Sequence, residues 1–323
     1  MNGVNIGPIQ FYDHHPAPAD FYSDVIKGLQ QDQKMIPPKY FYDQKGSELF
    51  DLICDTQEYY PTRTELAILK DNANEIADNI GPECLLVEPG SGSSYKVRSL
   101  LDALKPQAYV PMDISKTYLI EAASKLSDDY PWLEVHASCI DFTDKLHLPP
   151  ILSEEAKKVA FFPGSSIGNF EPADAVHFMS DIANMVGEEG GLLIGVDLKK
   201  DKTILDSAYN DNQDITAQFN MNLLTRINNE LNAEFDLASF EHNAFYNEKL
   251  GRIEMHLVSN MEQEVSVDDV LIKFDKGESI HTESSYKYSI AEFQKLAGKA
   301  GFESSEVWTD KKDLFSLHYF TMT

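Results

Sequence analysis

Cysteine is scarce in this 323-residue sequence: Cys54, Cys84 and Cys139 stand far apart, and no C-x-x-C pair occurs. No histidine cluster has metal-ligand spacing either, so no metal site is expected, and the thiols fit buried positions in a reducing compartment. The adjacent His14 and His15 read as exposed loop. Basic residues are also few, with 27 Lys and Arg against 53 Asp and Glu and a net charge of −26. So negative a surface repels phosphate backbones and anionic lipid, which argues against nucleic acid and membrane partners. By itself the acidity indicates solubility rather than a specific role. No apolar run approaches the ~18 residues of a membrane span, and residues 1–20 lack the pattern of a signal peptide. A cytoplasmic, monomeric protein is expected.

Apolar material is ample, at 42% of residues, enough for one large α/β domain or two modest ones. From about residue 84, short apolar runs alternate with helical stretches. The runs are 84–92, 108–114, 133–142, 157–165 and 190–198. Between them apolar positions recur at three- and four-residue steps, as for Met179, Ile182, Ala183 and Val186. Continuous apolar strands joined by helices predict a doubly wound parallel sheet covered on both faces. The flanks differ. Tyr40, Phe41, Tyr42, Phe50, Tyr59 and Tyr60 crowd the N-terminal block, and residues 215–235 read as one long helix carrying Ile215, Phe219, Leu223, Ile227, Leu231 and Phe235. RIEMHL (252–257) alternates as a strand, with Ile253, Met255 and Leu257 opposite Arg252, Glu254 and His256. Segments 279–290 and 314–322 are strand-like, with a helix between them. Residues 8–63 and 200–285 are expected to pack as a second, discontinuous domain, beside a core of 64–199 plus 286–323.

Ligands of open α/β sheets bind beyond the carboxyl ends of the strands. Here the first strand ends in Glu88-Pro89-Gly90-Ser91-Gly92, where glycines let a ligand approach the backbone. The second ends at Asp113, at the offset from which an acidic residue accepts ribose hydroxyls. The third ends in Asp141-Phe142, a carboxylate and a ring suited to adenine. Together these describe an adenosine site. A dinucleotide fingerprint would require a third glycine where Tyr95 stands, and Glu88 would repel a pyrophosphate but tolerate a sulfonium and an ammonium. The residues therefore favour S-adenosylmethionine. Capping of the following helices is the competing reading of Glu88 and Asp113.

After the fourth strand, the loop Gly164 to Phe170 should lie beside the transferring methyl. Asn169 in it offers a donor and an acceptor, or else caps the helix that starts at Pro172. In TESSYKY (282–288) a strand would aim Glu283 and Ser285 to one side. That pair suits a ring with two nitrogens, such as imidazole, although a solvated polar face is the plain alternative. A hydrophobic core is the plain reading of most of the aromatic cluster.

Over nearly its whole length the chain resembles the histidine-specific Nα-methyltransferases of ergothioneine biosynthesis. The resemblance is carried by KYFYDQKGSELFD (39–51), EYYPTRTE (58–65), GSSIGNF (164–170), DLKKD (197–201), AYNDNQDITAQFNMNLLTRINNEL (208–231), RIEMHL and TESSYKY. It implies a Rossmann-like class I methyltransferase core with a second, discontinuous α+β substrate-binding domain. It further implies that Tyr59, Asn169 and Tyr209 hold the carboxylate and amino group of histidine, with Tyr42 near that amine. Glu283 and Ser285 would hold the imidazole, while Phe50, Met255 and Gly164 shape the pocket. Gly90, Gly92, Lys96, Asp113, Asp141 and Phe142 fall at the cofactor positions, with Glu88 beside them. Pro89 and Ile140 depart from the family's usual leucine and glycine, a difference that bears on cofactor affinity. The implied product is the trimethylated betaine, formed by attack of a neutral amine, with Tyr42 or a water taking the proton. The rivals are another aromatic amino acid, an ovothiol-pathway substrate, or a non-catalytic binding module.

Overall fold

The computed structural model describes residues 3–14, 19–141, 146, 148–149 and 156–322. Along the chain, β1 (Val4–Ile6), β2 (Ile9–Asp13), α1 (Ala19–Leu29), β3 (Lys34–Met35), α2 (Gln44–Asp55), α3 (Tyr60–Asp71) and α4 (Ala73–Ile80) come first. The alternating part follows: β4 (Leu85–Pro89), α5 (Arg98–Leu104), β5 (Ala108–Asp113), α6 (Lys116–Asp129), β6 (Glu134–Cys139), β7 (Lys158–Phe162), α7 (Pro172–Val186) and β8 (Gly191–Asp197). Then come α8 (Lys202–Ala208), α9 (Ile215–Glu230), β9 (Phe240–Asn247), β10 (Arg252–Ser259), β11 (Gln263–Val267), β12 (Val270–Phe274) and β13 (Ser279–Tyr286). The chain closes with α10 (Ile290–Gly298), β14 (Phe302–Thr309) and β15 (Phe315–Met322).

Contacts divide the chain into two compact units. The first comprises Met1–His15, Pro61–Lys199 and Lys287–Thr323. Among the described residues its sheet has nine strands, in the order β1-β2-β6-β5-β4-β7-β8-β15-β14. From β2 to β8 every pairing is parallel, and β15 then joins β8 in antiparallel fashion. Both faces are covered, which is why β4 and β8 are buried along their whole lengths. One face takes Ile68, Ile76, Leu100, Leu101 and Leu119 of α3 to α6. On the other, Phe178 of α7 meets Phe162, and Phe293 of α10 meets Phe320. Pro172 opens α7 and a Ser289–Glu292 capping box opens α10. Strand order reverses between β4 and β7, so ligands are expected at the carboxyl ends of these strands.

The second unit comprises Pro16–Tyr60 and Lys200–Tyr286. Among the described residues its main sheet has four strands, in the order β3-β13-β10-β9, and β11 and β12 form a separate hairpin. Phe219 of α9 stacks on Phe41 at 4.5 Å. Among the described residues no helix is long and apolar enough to cross a membrane. None of the three cysteines forms a disulfide; Cys84 and Cys139 are buried and Cys54 is half-buried.

Three expectations need correction. Residues 8–13 do not belong with the second unit, because β2 pairs in parallel with β6 and buries Ile9 and Phe11 in the core of the first. The long helix stops at Glu230, since Asn232 turns left-handed (φ 50°) and the Asn228 amide brackets the Phe235 backbone at 2.8 Å on both sides. Phe235 then packs on Phe240 and Phe274 instead of continuing the helical stripe. Strand β14, which the pattern did not show, is an edge strand whose outward positions are polar and exposed.

The hairpin contribution is measurable by urea unfolding. Ile9→Ala, at a position 1% exposed, should cost about 2–5 kcal/mol. Val4→Ala, 62% exposed on the same hairpin, should stay within about 0.5 kcal/mol. Equal small effects would mean that the hairpin is not part of the core.

Candidate active site

In the first unit, the turn after β4 is shaped by backbone geometry. Gly90 and Gly92 have φ of 68° and 52°, and open space lies where a Gly92 side chain would stand. Asp113, at the end of β5, holds this turn: its Oδ2 accepts from Gly92 N and its Oδ1 from Ser115 N, both at 2.9 Å. The helix-side bond realises part of the capping alternative, since Ser115 is the residue before α6. Each oxygen keeps a further lone pair for a hydroxyl donor. Burial raises the Asp113 carboxyl, against the backbone N–H groups that favour its charged form. Ser91 Oγ is buried with no hydrogen-bond partner among the described residues, an unfilled donor facing the need for a polar ligand atom. Asp141 is buried, beyond the end of β6. Phe142 lies outside the described residues.

Glu88 caps no helix; α5 has Val97 before it and no side-chain cap. Its carboxylate, 1% exposed, accepts from the Tyr109 hydroxyl, and Ser94 Oγ lies 3.2 Å from that hydroxyl. Burial pushes the Glu88 carboxyl up to about 8, opposed by the Tyr109 bond and by Lys96.

Glu65 is the residue that the motif analysis missed. It is fully buried on α3, takes Lys96 Nζ at 2.7 Å, and accepts from Gly164 N at 2.9 and 3.0 Å. Gly195 on β8 makes room for it, because a Cβ there would stand 1.9 Å from Glu65 Oε1. Gly164 itself has φ 85°, and a Cβ on it would press Lys96 Nζ at 3.0 Å. The only signal was its place at the end of EYYPTRTE. Asn169 closes a short 3-10 turn, Ser166–Asn169, and is half-buried. It does not cap α7, whose preceding residue is Glu171 and which has no side-chain cap. At the start of the same loop, Ser165 (φ 59°) accepts from Asp197 N at 2.9 Å. Asp197 in turn pairs with Lys287 at 2.8 Å, both buried. These two residues sit in DLKKD and TESSYKY, and their pairing was not foreseen.

In the second unit, β10 and β13 carry the predicted ring-binding pair. Register places Met255 opposite Glu283 and Ile253 opposite Ser285. Glu283 and Ser285 are 9% and 3% exposed, so the solvated-face reading fails. Tyr209 hydroxyl donates to Ser285 Oγ at 3.0 Å. Tyr59 stands edge-on to Tyr209 and Phe50, with centroids 6.1 and 6.3 Å apart. Tyr42 meets Phe50 at 5.8 Å and Phe219 at 5.9 Å. The structure thus gathers Tyr42, Phe50, Tyr59, Tyr209, Met255, Glu283 and Ser285 on this unit, whereas Gly164 and Asn169 belong to the first. Burial, and then Tyr209, Cys54, Glu283 and Tyr42 nearby, drive the Tyr59 hydroxyl well above 10, which keeps it a neutral donor. Phe41 and Tyr40 follow the core reading, buried beneath the cluster. Asp211 anchors the Tyr209 turn to α9: burial acts upward on its pKa, but the N–H groups of Thr216, Ile215 and Gln213 outweigh it and lower the pKa.

Two expectations follow. Glu65→Ala should cost about 3–5 kcal/mol, because it removes a buried carboxylate that pairs with Lys96 and accepts from the Gly164 N–H; Glu65→Gln, which still accepts from Gly164, should cost less by the same urea measurement. For Glu88 the folded carboxyl sits near 8 against an ordinary 4.5, so folding favours its protonated form. Its stabilising contribution is present below 4.5 and is lost as pH rises through about 8. Melting temperatures of ligand-free Glu88→Gln should therefore gain on those of the parent protein between pH 5 and pH 9. A constant gap would contradict the raised pKa.

Residues 21–322 match the family described as "Histidine-specific methyltransferase, SAM-dependent". The chain is 40% identical over 300 residues to histidine N-alpha-methyltransferase of Mycobacterium tuberculosis, covering 91% of this chain and 92% of that one. It is equally similar to the Mycolicibacterium smegmatis protein of the same name, at 40% identity and the same coverage. Ergothioneine biosynthesis protein 1 of Neurospora crassa is 31% identical over 296 residues, 88% of this chain but 33% of that longer protein. With a Rossmann-like core and a match over most of its length, this chain belongs to the histidine-specific, S-adenosylmethionine-dependent N-methyltransferases.

Proposed function

We propose that the protein trimethylates the α-amino nitrogen of L-histidine to the betaine, the first step of ergothioneine biosynthesis. The observation that carries this reading is the buried pair Glu283 and Ser285 on one face of β13. A carboxylate and a hydroxyl engage both nitrogens of an imidazole. An indole or phenol offers a single ring donor and so engages only one of the two groups.

The methyl donor fits the first unit on its own chemistry. Open space at Gly92, the unpartnered Ser91 Oγ and the lone pairs left on Asp113 suit an adenosyl group with ribose hydroxyls. Gly90, Gly92 and Asp113 would hold the ribose side, Asp141 and Phe142 the adenine, and Glu88 and Lys96 the amino-acid end. Glu88 is suited to an ammonium, which would favour its charged form. S-adenosylmethionine supplies an electrophilic methyl on its sulfonium.

The protein's own share is alignment and proton control. Tyr59, Asn169 and Tyr209 would fix the histidine carboxylate and amine, with Tyr59 a neutral donor by virtue of its raised pKa. Phe50, Met255 and Gly164 would bound the pocket. An ammonium has no lone pair, so the amine must reach the methyl deprotonated, and Tyr42 is placed in this reading beside it. Holding the reactants in a near-attack arrangement can supply roughly 7–11 kcal/mol.

Calorimetric titration with histidine, tryptophan and tyrosine, each with S-adenosylhomocysteine present, tests the substrate. Mass spectrometry of the turnover mixture counts the methyl groups. Selective binding of histidine and mass gains to the trimethyl product are expected. Glu283→Ala should weaken histidine ~10- to 100-fold and leave S-adenosylhomocysteine binding unchanged. Turnover of a different aromatic amino acid would overturn the role of Glu283 and Ser285, and no binding of any amino acid would indicate a non-catalytic module.

A further inference from the structure

Beneath the β10–β13 face runs a chain of side-chain hydrogen bonds that the substrate reading does not use. Tyr209 carbonyl oxygen lies 2.9 Å from His242 Nε2. A carbonyl only accepts, so Nε2 carries the proton and Nδ1 is the acceptor. Asn220 Nδ2 donates to that Nδ1 at 2.9 Å and to the His256 carbonyl at 3.1 Å. Its Oδ1 accepts from Thr282 Oγ1 at 2.8 Å, with Met255 O 3.1 Å from the same hydroxyl. Asn220 and Thr282 are 0% and 1% exposed, so no water substitutes for a lost partner.

Thr282 reaches Asn220 because of a break in the strand ladder. The β10–β13 register shifts between Met255 and His256, so that Met255 faces Glu283 while His256 faces His281. Thr282 is the extra residue of this bulge. Bulges re-aim side chains beside active sites, and here Thr282 turns toward α9 in the position just before Glu283. The other end of the chain grips the backbone of Tyr209, whose hydroxyl donates to Ser285.

We propose that His242, Asn220 and Thr282 are positioning residues that set the Tyr209 backbone and the Glu283 segment at a fixed separation, and so determine how tightly the amino-acid substrate is held. The chain ties three separate elements, β9, α9 and β13, at the two residues assigned to opposite parts of the amino acid. Its polarity runs one way, from Thr282 hydroxyl to Asn220 oxygen and from Asn220 nitrogen to His242. Burial lowers the His242 pKa and keeps the ring neutral, as that polarity requires. The inference rests on the assignment of Tyr209 and Glu283 to the substrate.

Steady-state kinetics of the full chain test it with two matched pairs. Thr282→Val keeps the shape and removes the hydroxyl; it should raise KM for histidine roughly tenfold and leave KM for S-adenosylmethionine unchanged. Thr282→Ser should restore most of the loss. His242→Leu should act like Thr282→Val, and His242→Gln, whose amide can still donate to the Tyr209 carbonyl, should recover. Melting curves accompany each variant. Loss of stability with KM for the amino acid unmoved, or equal rises in both KM values, would overturn the positioning role. If the parent protein methylates a different amino acid, the substrate reading falls, and the same four variants test the chain through the KM of that substrate.

Discussion

The first unit depends on a single carboxylate sealed away from water. Glu65 gathers the lysine that follows the β4 turn and the backbone amide that follows β7. A charge in that position is tolerable only with such partners, since its desolvation is costly and its pairing must be complete. The consequence is geometric: the turns on the two sides of the strand-order switch share one anchor. Gly195 belongs to the same constraint, because any side chain there would occupy the carboxylate's place. The Asp197–Lys287 pair repeats the device one strand further on, at the loop that leads to Asn169.

The second unit solves a different problem, that of burying a carboxylate and a hydroxyl two residues apart on one strand. The sheet supplies direction through its two-residue period, and the bulge at Thr282 interrupts that period once. Around it, hydrogen bonds from α9 and β9 satisfy the buried polar atoms that the interruption creates. Aromatic rings from the N-terminal segment and α9 contribute the apolar wall. Tyr59 combines both roles: packed edge-on among rings, and a neutral phenol because ionisation there would set a charge in an apolar place.

Much of this was legible in the residues. Period-two alternation alone put Glu283 and Ser285 on one side of a strand and Ile253 with Met255 on another, because a strand's facing depends only on parity. Continuous apolar runs separated by helical stripes yielded the doubly wound core for the same local reason. Local pattern failed at Phe235, where the four-residue spacing persisted by coincidence past a left-handed Asn232. It failed also at β1 and β2, short strands whose membership in the core sheet rests on pairing with β6, far away in the chain.

What the sequence by itself determined is whatever repeats within a few residues: strand and helix periods, glycine-bearing turns, and the order of motifs that marks the family. What only the tertiary structure decided is which distant groups meet. Glu65 bonds a backbone 99 positions onward, and Thr282 an amide 62 positions back. Neither partner can be read from spacing, because the contact is made by the closing of the sheet and its helices rather than by the local chain. Polar groups inside a protein must find partners wherever the fold brings them, and the fold, not the neighbourhood in sequence, chose these.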